Sequence, residues 1–131
     1  LTVYQNCTFF IEMSSHNAQE KQGKLKLLDE LFEVFQLNQL RDVIISQVSR
    51  GQMQRIALMR ALALRPLFLL ADEPTANLDM ATGSQVMDLL LECQKRWNMG
   101  LIIASHQEYA ITRMQVVFAL KDGTLSPFVK L

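Results

Sequence analysis

At 131 residues, the chain has room for one domain or for part of a larger one, because domains run to roughly 100–200 residues. Thirteen Lys and Arg balance thirteen Asp and Glu, so the basic field that gathers a nucleic-acid backbone is missing, which argues against nucleic acid as a partner. Half of the residues are hydrophobic and 20% are charged, a composition that builds a packed core and not a disordered chain. Cys7 and Cys93 stand far apart, without the spacing of a zinc site or a disulfide framework, and so favour a reduced setting. No stretch approaches the roughly 18–20 apolar residues of a spanning helix. The chain opens on Leu1 with no basic start and no cleavage site, and its N-terminus reads as a cut.

Residues 13–23 are polar, with Ser, Asn, Gln and one Gly, and predict a surface loop after the opening segment. Leu28, Leu31, Phe32 and Phe35 recur at helical spacing opposite Lys26, Asp29, Glu30, Glu33 and Gln36, the pattern of an amphipathic helix of about 14 residues. A short helical piece is expected over 40–45. Ser49 and Gln52 then form S-x-x-Q ahead of residues 53–64, a helix that Pro66 stops and that is apolar except for Gln54, Arg55 and Arg60. The two arginines are expected to pair with internal carboxylates or helix ends.

The continuous apolar run 67–71 fits a strand buried on both faces of a parallel sheet, delivering Asp72 and Glu73 at its C-terminal end. Over 80–97, Val86, Leu89, Leu90, Cys93 and Trp97 share one helical face, with Gly100 as the expected C-terminal stop. Residues 101–104 form the next strand, ending at Ser105-His106. Strand, helix and strand make a βαβ unit with parallel strands and a right-handed crossover, so Ser105 and His106 should emerge beside Asp72 and Glu73. A last strand over 116–120 leads into the hairpin-turn signal of 121–124.

Ligands of open α/β sheets bind beyond the C-terminal ends of the strands. Two adjacent carboxylates placed there suit nucleotide hydrolysis, one in the shell of a magnesium ion and the other orienting or deprotonating the attacking water; taken alone, Asp-Glu before a proline is also an ordinary polar turn. The Ser49 helix start has two readings as well. It is a capping box, or it is a phosphate site in which the helix N-terminus offers unpaired N–H groups and Gly51 allows close approach to the backbone. Asp79 fits the N-cap of the 80–97 helix. His16 lies in the polar stretch and reads as solvated, and the methionines read as core filling.

The strings Val48-Ser49-Arg50-Gly51-Gln52, Gln54-Arg55, 68–75, Ala76-Asn77-Leu78-Asp79 and Ser105-His106, in this order and spacing, resemble the second half of an ABC-type ATPase domain. The resemblance runs from Leu1 to about Pro127. It aligns the L-S-G-G-Q signature with 48–52, Walker B with 68–73, the D-loop with 76–79 and the switch histidine with His106. It implies that Asp72 supports magnesium, that Glu73 is the general base and that His106 contacts the γ-phosphate of ATP. It further implies that Asp79 links two subunits and that Ser49, Arg50, Gly51 and Gln52 meet the γ-phosphate held by the opposite subunit. Contact with a membrane permease is implied somewhere in residues 9–40, and a cytoplasmic place on the inner face of the membrane follows from that partner. The 72–79 string looks most like subunits serving lipoprotein release, macrolide efflux or cell-division permeases.

The phosphate-cradling G-x-x-x-x-G-K-[ST] motif does not occur in the sequence; the one Gly-Lys pair, Gly23-Lys24, has Ala18 and Leu25 where the motif asks for Gly and Ser or Thr. Arg50 and Val48 depart from the signature. The expected architecture is therefore a partial P-loop nucleotide-hydrolase core in the α/β class, a parallel sheet (about 66–131) joined to a helical subdomain (about 6–65). In the family's strand order the P-loop strand lies between the strand ending at Ser105 and that of 116–120, and without it two apolar strand edges stay unpaired. The expected function is the ATP-hydrolysing subunit of an ABC transporter, using Mg-ATP and paired with a second ATPase subunit. These residues alone are expected to be inactive. The alternative is a non-catalytic module that lends its signature to a partner's ATP site.

Overall fold

The computed structural model describes residues 1–128. Helix α1 (Val3–Ser14) starts on a capping box in which Thr2 Oγ1 accepts the Gln5 N–H while Gln5 Oε1 accepts the Thr2 N–H. Only residues 15–17 separate it from α2 (Ala18–Val34), so the surface loop expected over 13–23 is two helix ends instead. The Ser, Asn and Gln residues that read as loop act here as terminators and caps: Asn17 Oδ1 accepts the Glu20 N–H at 2.8 Å, and the Gln, Glu and Lys that follow are good helix formers. With this extra turn α2 is 17 residues long. Gly23 lies on it with open space around its Cα. Lys24 is buried and ion-paired to Glu20 at 2.7 Å, so the Gly23-Lys24 pair is part of a helix face.

The helical piece expected over 40–45 is replaced by two short 3₁₀ turns, Asn38–Leu40 and Ile45–Gln47. Between them the chain turns and pairs with the start of α1: Val3 and Tyr4 donate to the carbonyls of Val43 and Arg41, and Thr2 bridges Ile44. β-branched Ile44, which forms that bridge, has the extended backbone that its side chain favours. Helix α3 (Arg50–Ala63) follows the Ser49 cap. Arg55 Nη1 donates to the carbonyl of Phe35, the C-cap of α2, at 3.1 Å, a helix end as expected, whereas Arg60 Nη1 donates to the Asn6 side-chain amide oxygen at 2.8 Å and not to a carboxylate.

The remaining elements are β1 (Phe68–Asp72), α4 (Met80–Trp97), β2 (Gly100–Ala104), α5 (Glu108–Arg113), β3 (Phe118–Lys121) and β4 (Thr124–Pro127). Strands β1 and β2 pair in parallel from Phe68 opposite Gly100 to Asp72 opposite Ala104. Strands β3 and β4 form an antiparallel hairpin whose turn residues, Asp122 and Gly123, both have positive φ, as a tight two-residue hairpin turn requires. Among the described residues the two sheets do not pair with each other, which matches the gap expected between 104 and 116.

Two expectations fail here. Strand β1 is buried on one face only: Leu69 is 7% exposed, but Phe68 and Leu70 are 69% and 73% exposed, because none of the described residues covers the second face. And α4 ends at Asn98, which takes the left-handed conformation and donates to the Gln94 and Lys95 carbonyls, a role open to Asn as well as Gly. Gly100 instead begins β2, where a Cβ would run into the Phe68 ring on the paired strand.

A single apolar cluster ties the helices and the β1–β2 pair together. Val3, Cys7 and Ile11 of α1 meet Leu28, Leu31 and Phe32 of α2 and Ile56, Met59 and Leu62 of α3, and the cluster continues through Leu69 to Val86, Met87 and Leu90 of α4. Burial of such side chains stabilises by about 1.5–3 kcal/mol each.

Candidate functional site

Parallel pairing brings the ends of β1 and β2 together, and with them Glu73 and His106. The Glu73 N–H donates to the Ala104 carbonyl at 2.8 Å, continuing the ladder by one residue. Glu73 then turns the chain with φ 47, a left-handed conformation that a residue with a side chain adopts only when its surroundings hold it there. His106 Nδ1 lies 2.6 Å from Glu73 Oε1, and Ser105 Oγ lies 3.5 Å from Oε2. The latter distance is at the limit of a hydrogen bond, so Oε2 is the freer oxygen. The imidazole is 73% exposed and the Glu73 side chain 35% exposed, and both are within reach of a ligand. Gln107 positions the ring from the other side, its Nε2 3.2 Å from His106 Nε2.

Asp72 ends β1, exposed, with no hydrogen bond to its carboxylate among the described residues. A free carboxylate at a strand end fits a magnesium ion, which takes one or two carboxylates and completes its shell with water and phosphate oxygens. No cluster of three acidic, His or Cys residues is present among the described residues, so Asp72 would hold such an ion as one ligand of several. For ATP the fit is partial: the carboxylates and the imidazole suit the hydrolytic end, while the amide cradle and lysine of a P-loop are not among these residues.

The signature string opens α3. Ser49 Oγ accepts the Gln52 N–H at 3.2 Å and Gln52 Oε1 accepts the Ser49 N–H at 2.8 Å, so both side chains complete a capping box. Ser49 and Arg50 are exposed. At Gly51 a Cβ would lie 3.1 Å from Leu78 Cδ2 and 3.2 Å from the Asn77 carbonyl oxygen, so the helix start rests closely on the 76–79 loop of its own chain. Asp79 caps α4, with Oδ2 accepting the Thr82 N–H at 3.0 Å and Oδ1 accepting the Thr82 hydroxyl at 2.6 Å. Those bonds from Thr82, side chain first, hold the Asp79 carboxyl below its ordinary 3.8.

Two residues outside the sequence-derived site complete it. Gln54 donates from Nε2 to the Glu73 carbonyl at 2.6 Å and accepts from Asn77 at Oε1; the Gln54-Arg55 string carried part of the family resemblance, but nothing in the sequence gave Gln54 a role at Glu73. Tyr109 donates to buried Thr75 at 2.7 Å, fixing the turn behind Glu73 to α5, and nothing in the sequence pointed to that pair.

Residues 1–76 match the ABC transporter family. The chain belongs to this family. A lipoprotein-releasing system ATP-binding protein, LolD of Legionella pneumophila, is 48% identical over 80 residues, which is 61% of this chain and 35% of that protein. A methionine import ATP-binding protein, MetN of Staphylococcus haemolyticus, is 35% identical over 113 residues, 86% of this chain and 32% of that one. The chain thus spans about a third of the length of these relatives. Among solved structures, CbiO1 of Clostridium perfringens, part of the ABC transporter complex CbiONQ, superposes with a TM-score of 0.78 at 31% identity, covering 95% of this chain and 49% of that one. The dimeric bacterial ABC transporter cassette MJ0796 superposes with a TM-score of 0.81 at 26% identity, covering all of this chain and 58% of that one. The α/β architecture is therefore that of part of an ABC ATPase cassette. No helix among the described residues is long and apolar enough to cross a membrane.

Proposed function

We propose that these residues belong to the ATP-hydrolysing subunit of an ABC transporter, a peripheral subunit on the cytoplasmic face of the membrane that pairs with a second ATPase subunit and drives a permease. The observation that carries the reading is the Glu73–His106 contact at the ends of two adjacent parallel strands, with the free carboxylate of Asp72 next to it. His106 anchors Oε1 of Glu73, leaving Oε2 to accept the proton of an attacking water as general base. Asp72 holds magnesium, which when bound neutralises charge on the phosphate oxygens. His106 also faces the γ-phosphate. Ser49, Arg50, Gly51 and Gln52 present the α3 N-terminus to the γ-phosphate bound by the opposite subunit, where N–H groups and the helix dipole favour an anion, and Asp79 joins the two sites. On this reading residues from about 6 to 65 make the signature-bearing helical subdomain and those from about 66 to 131, of which 129–131 lie outside the described residues, the carboxylate-bearing part of the core.

Phosphate release from Mg-ATP tests this. The 131 residues alone are expected to release none; joined to a segment that supplies G-x-x-x-x-G-K-[ST], they are expected to turn over, and Glu73→Gln to lower the rate by about 10²–10⁴-fold, the usual contribution of a general base. Full turnover in Glu73→Gln overturns the reading. The exposure of Ser49 and Arg50 favours a second reading, a module that completes a partner's site. On that reading the chain, added to an intact family subunit, raises the partner's rate, and Ser49→Arg removes the gain.

A further inference from the structure

We propose that Gln54 is a positioning residue for Glu73: it fastens the turn that carries the base to the N-terminal part of the signature helix and so keeps the carboxylate on His106. The proposal rests on the reading of Glu73 as the base. Gln54 is half-buried, and both ends of its amide are used. Nε2 donates to the Glu73 carbonyl at 2.6 Å, while Oε1 accepts from the Asn77 N–H at 3.3 Å and from Asn77 Nδ2 at 3.1 Å. A donor aimed at a carbonyl and an acceptor aimed at an N–H need a carboxamide of this length. A carboxylate cannot donate, and an apolar side chain leaves the polar groups around it unpaired.

Glu73 needs outside support because its backbone is left-handed at φ 47. Its N–H is held by the Ala104 carbonyl of β2 at 2.8 Å, and its carbonyl accepts the Ala76 N–H at 3.2 Å within the turn and Gln54 from α3. The peptides before and after the Glu73 Cα are thus tied to two different elements. Releasing the second tie lets that peptide rotate, and the carboxylate swings with it away from His106 Nδ1. Helix α3 and the 76–79 loop already approach closely at Gly51, where a Cβ would lie 3.2 Å from the Asn77 carbonyl oxygen, so the Gln54 amide spans a gap fixed by packing.

The test uses the chain itself. In ¹⁵N spectra, the His106 Nδ1 signal of Glu73→Gln marks the ring without its carboxylate. Gln54→Ala and the isosteric Gln54→Glu are both expected to move the His106 signal more than half of the way to that mark. Met59→Ala, a core truncation that lowers stability without touching the turn, is expected to leave it in place. A His106 signal unmoved in either folded Gln54 variant, or moved equally by Met59→Ala, overturns the proposal. With a P-loop segment supplied, kcat is expected to fall on the order of tenfold or more in both Gln54 variants while KM for Mg-ATP stays within about twofold, the split that a misplaced base produces. A rise in KM with kcat intact overturns the proposal. Turnover that survives Glu73→Gln sinks the reading of Glu73, and the spectra judge Gln54 separately.

Discussion

Gly83 leaves the space that the Tyr109 hydroxyl fills: a Cβ at residue 83 would sit on that oxygen, which donates to Thr75 at 2.7 Å. The contact ties α4, α5 and the turn after Glu73 to one point. Gly83→Ala is expected to destabilise by about 1–3 kcal/mol, the usual effect of overpacking, despite Ala being the better helix former. In a Tyr109→Phe background that loss should be at least halved. Urea denaturation of the four proteins in this double-mutant cycle measures the coupling, and additive losses would show that the two residues do not meet.

The Ser49 capping box gives a second expectation. Ser49→Ala should lower stability by about 1 kcal/mol, while Ser49→Asp, which keeps an acceptor for the Gln52 N–H, should lose only a few tenths. Urea midpoints of the two variants decide it. Equal losses would mean that the hydroxyl contributes something other than the cap seen here.

Asp79 predicts a pH dependence with a definite sign. Its carboxyl is held below the ordinary 3.8 by the Thr82 bonds, so the folded state favours the ionised form. The stabilisation is fully present above 3.8 and is lost as pH falls through the lower folded value. Asp79→Asn keeps a capping acceptor but cannot ionise. The difference in urea midpoint between wild type and Asp79→Asn should therefore stay constant from neutral pH down toward 3.8 and shrink below it; a difference that is flat throughout contradicts the assignment.

Burial pushes the Cys7 thiol up to about 11, against a smaller opposing pull from Arg60, and burial likewise raises Cys93. Thiolate is the reactive form. Alkylation by iodoacetamide at neutral pH should thus be slow at both cysteines in the folded protein and become fast in urea, read by mass spectrometry. Rapid labelling of native protein would show that α1 or α4 opens far more readily than its packing implies.

The sequence alone determined the elements whose signals are local. The Ser49 cap, the strand that ends at Asp72, the Asp79 cap and the 80–97 helix could be read because capping side chains, apolar runs and helical periodicity act within a few residues. Because parallel strands joined by a helix must end together, it also placed His106 beside Glu73. Tertiary structure decided the rest. The polar residues 13–23 became helix ends because α1 and α2 bury their apolar faces against α3, and the polar composition of a link does not reveal that. Gly51, Gly83 and Gly100 are explained only by what lies opposite them in space. The Gln54-Arg55 string could be read in the sequence, but its tie to the Glu73 carbonyl, 19 positions away in the chain, could not, because a hydrogen bond between distant segments leaves no periodic trace in the sequence.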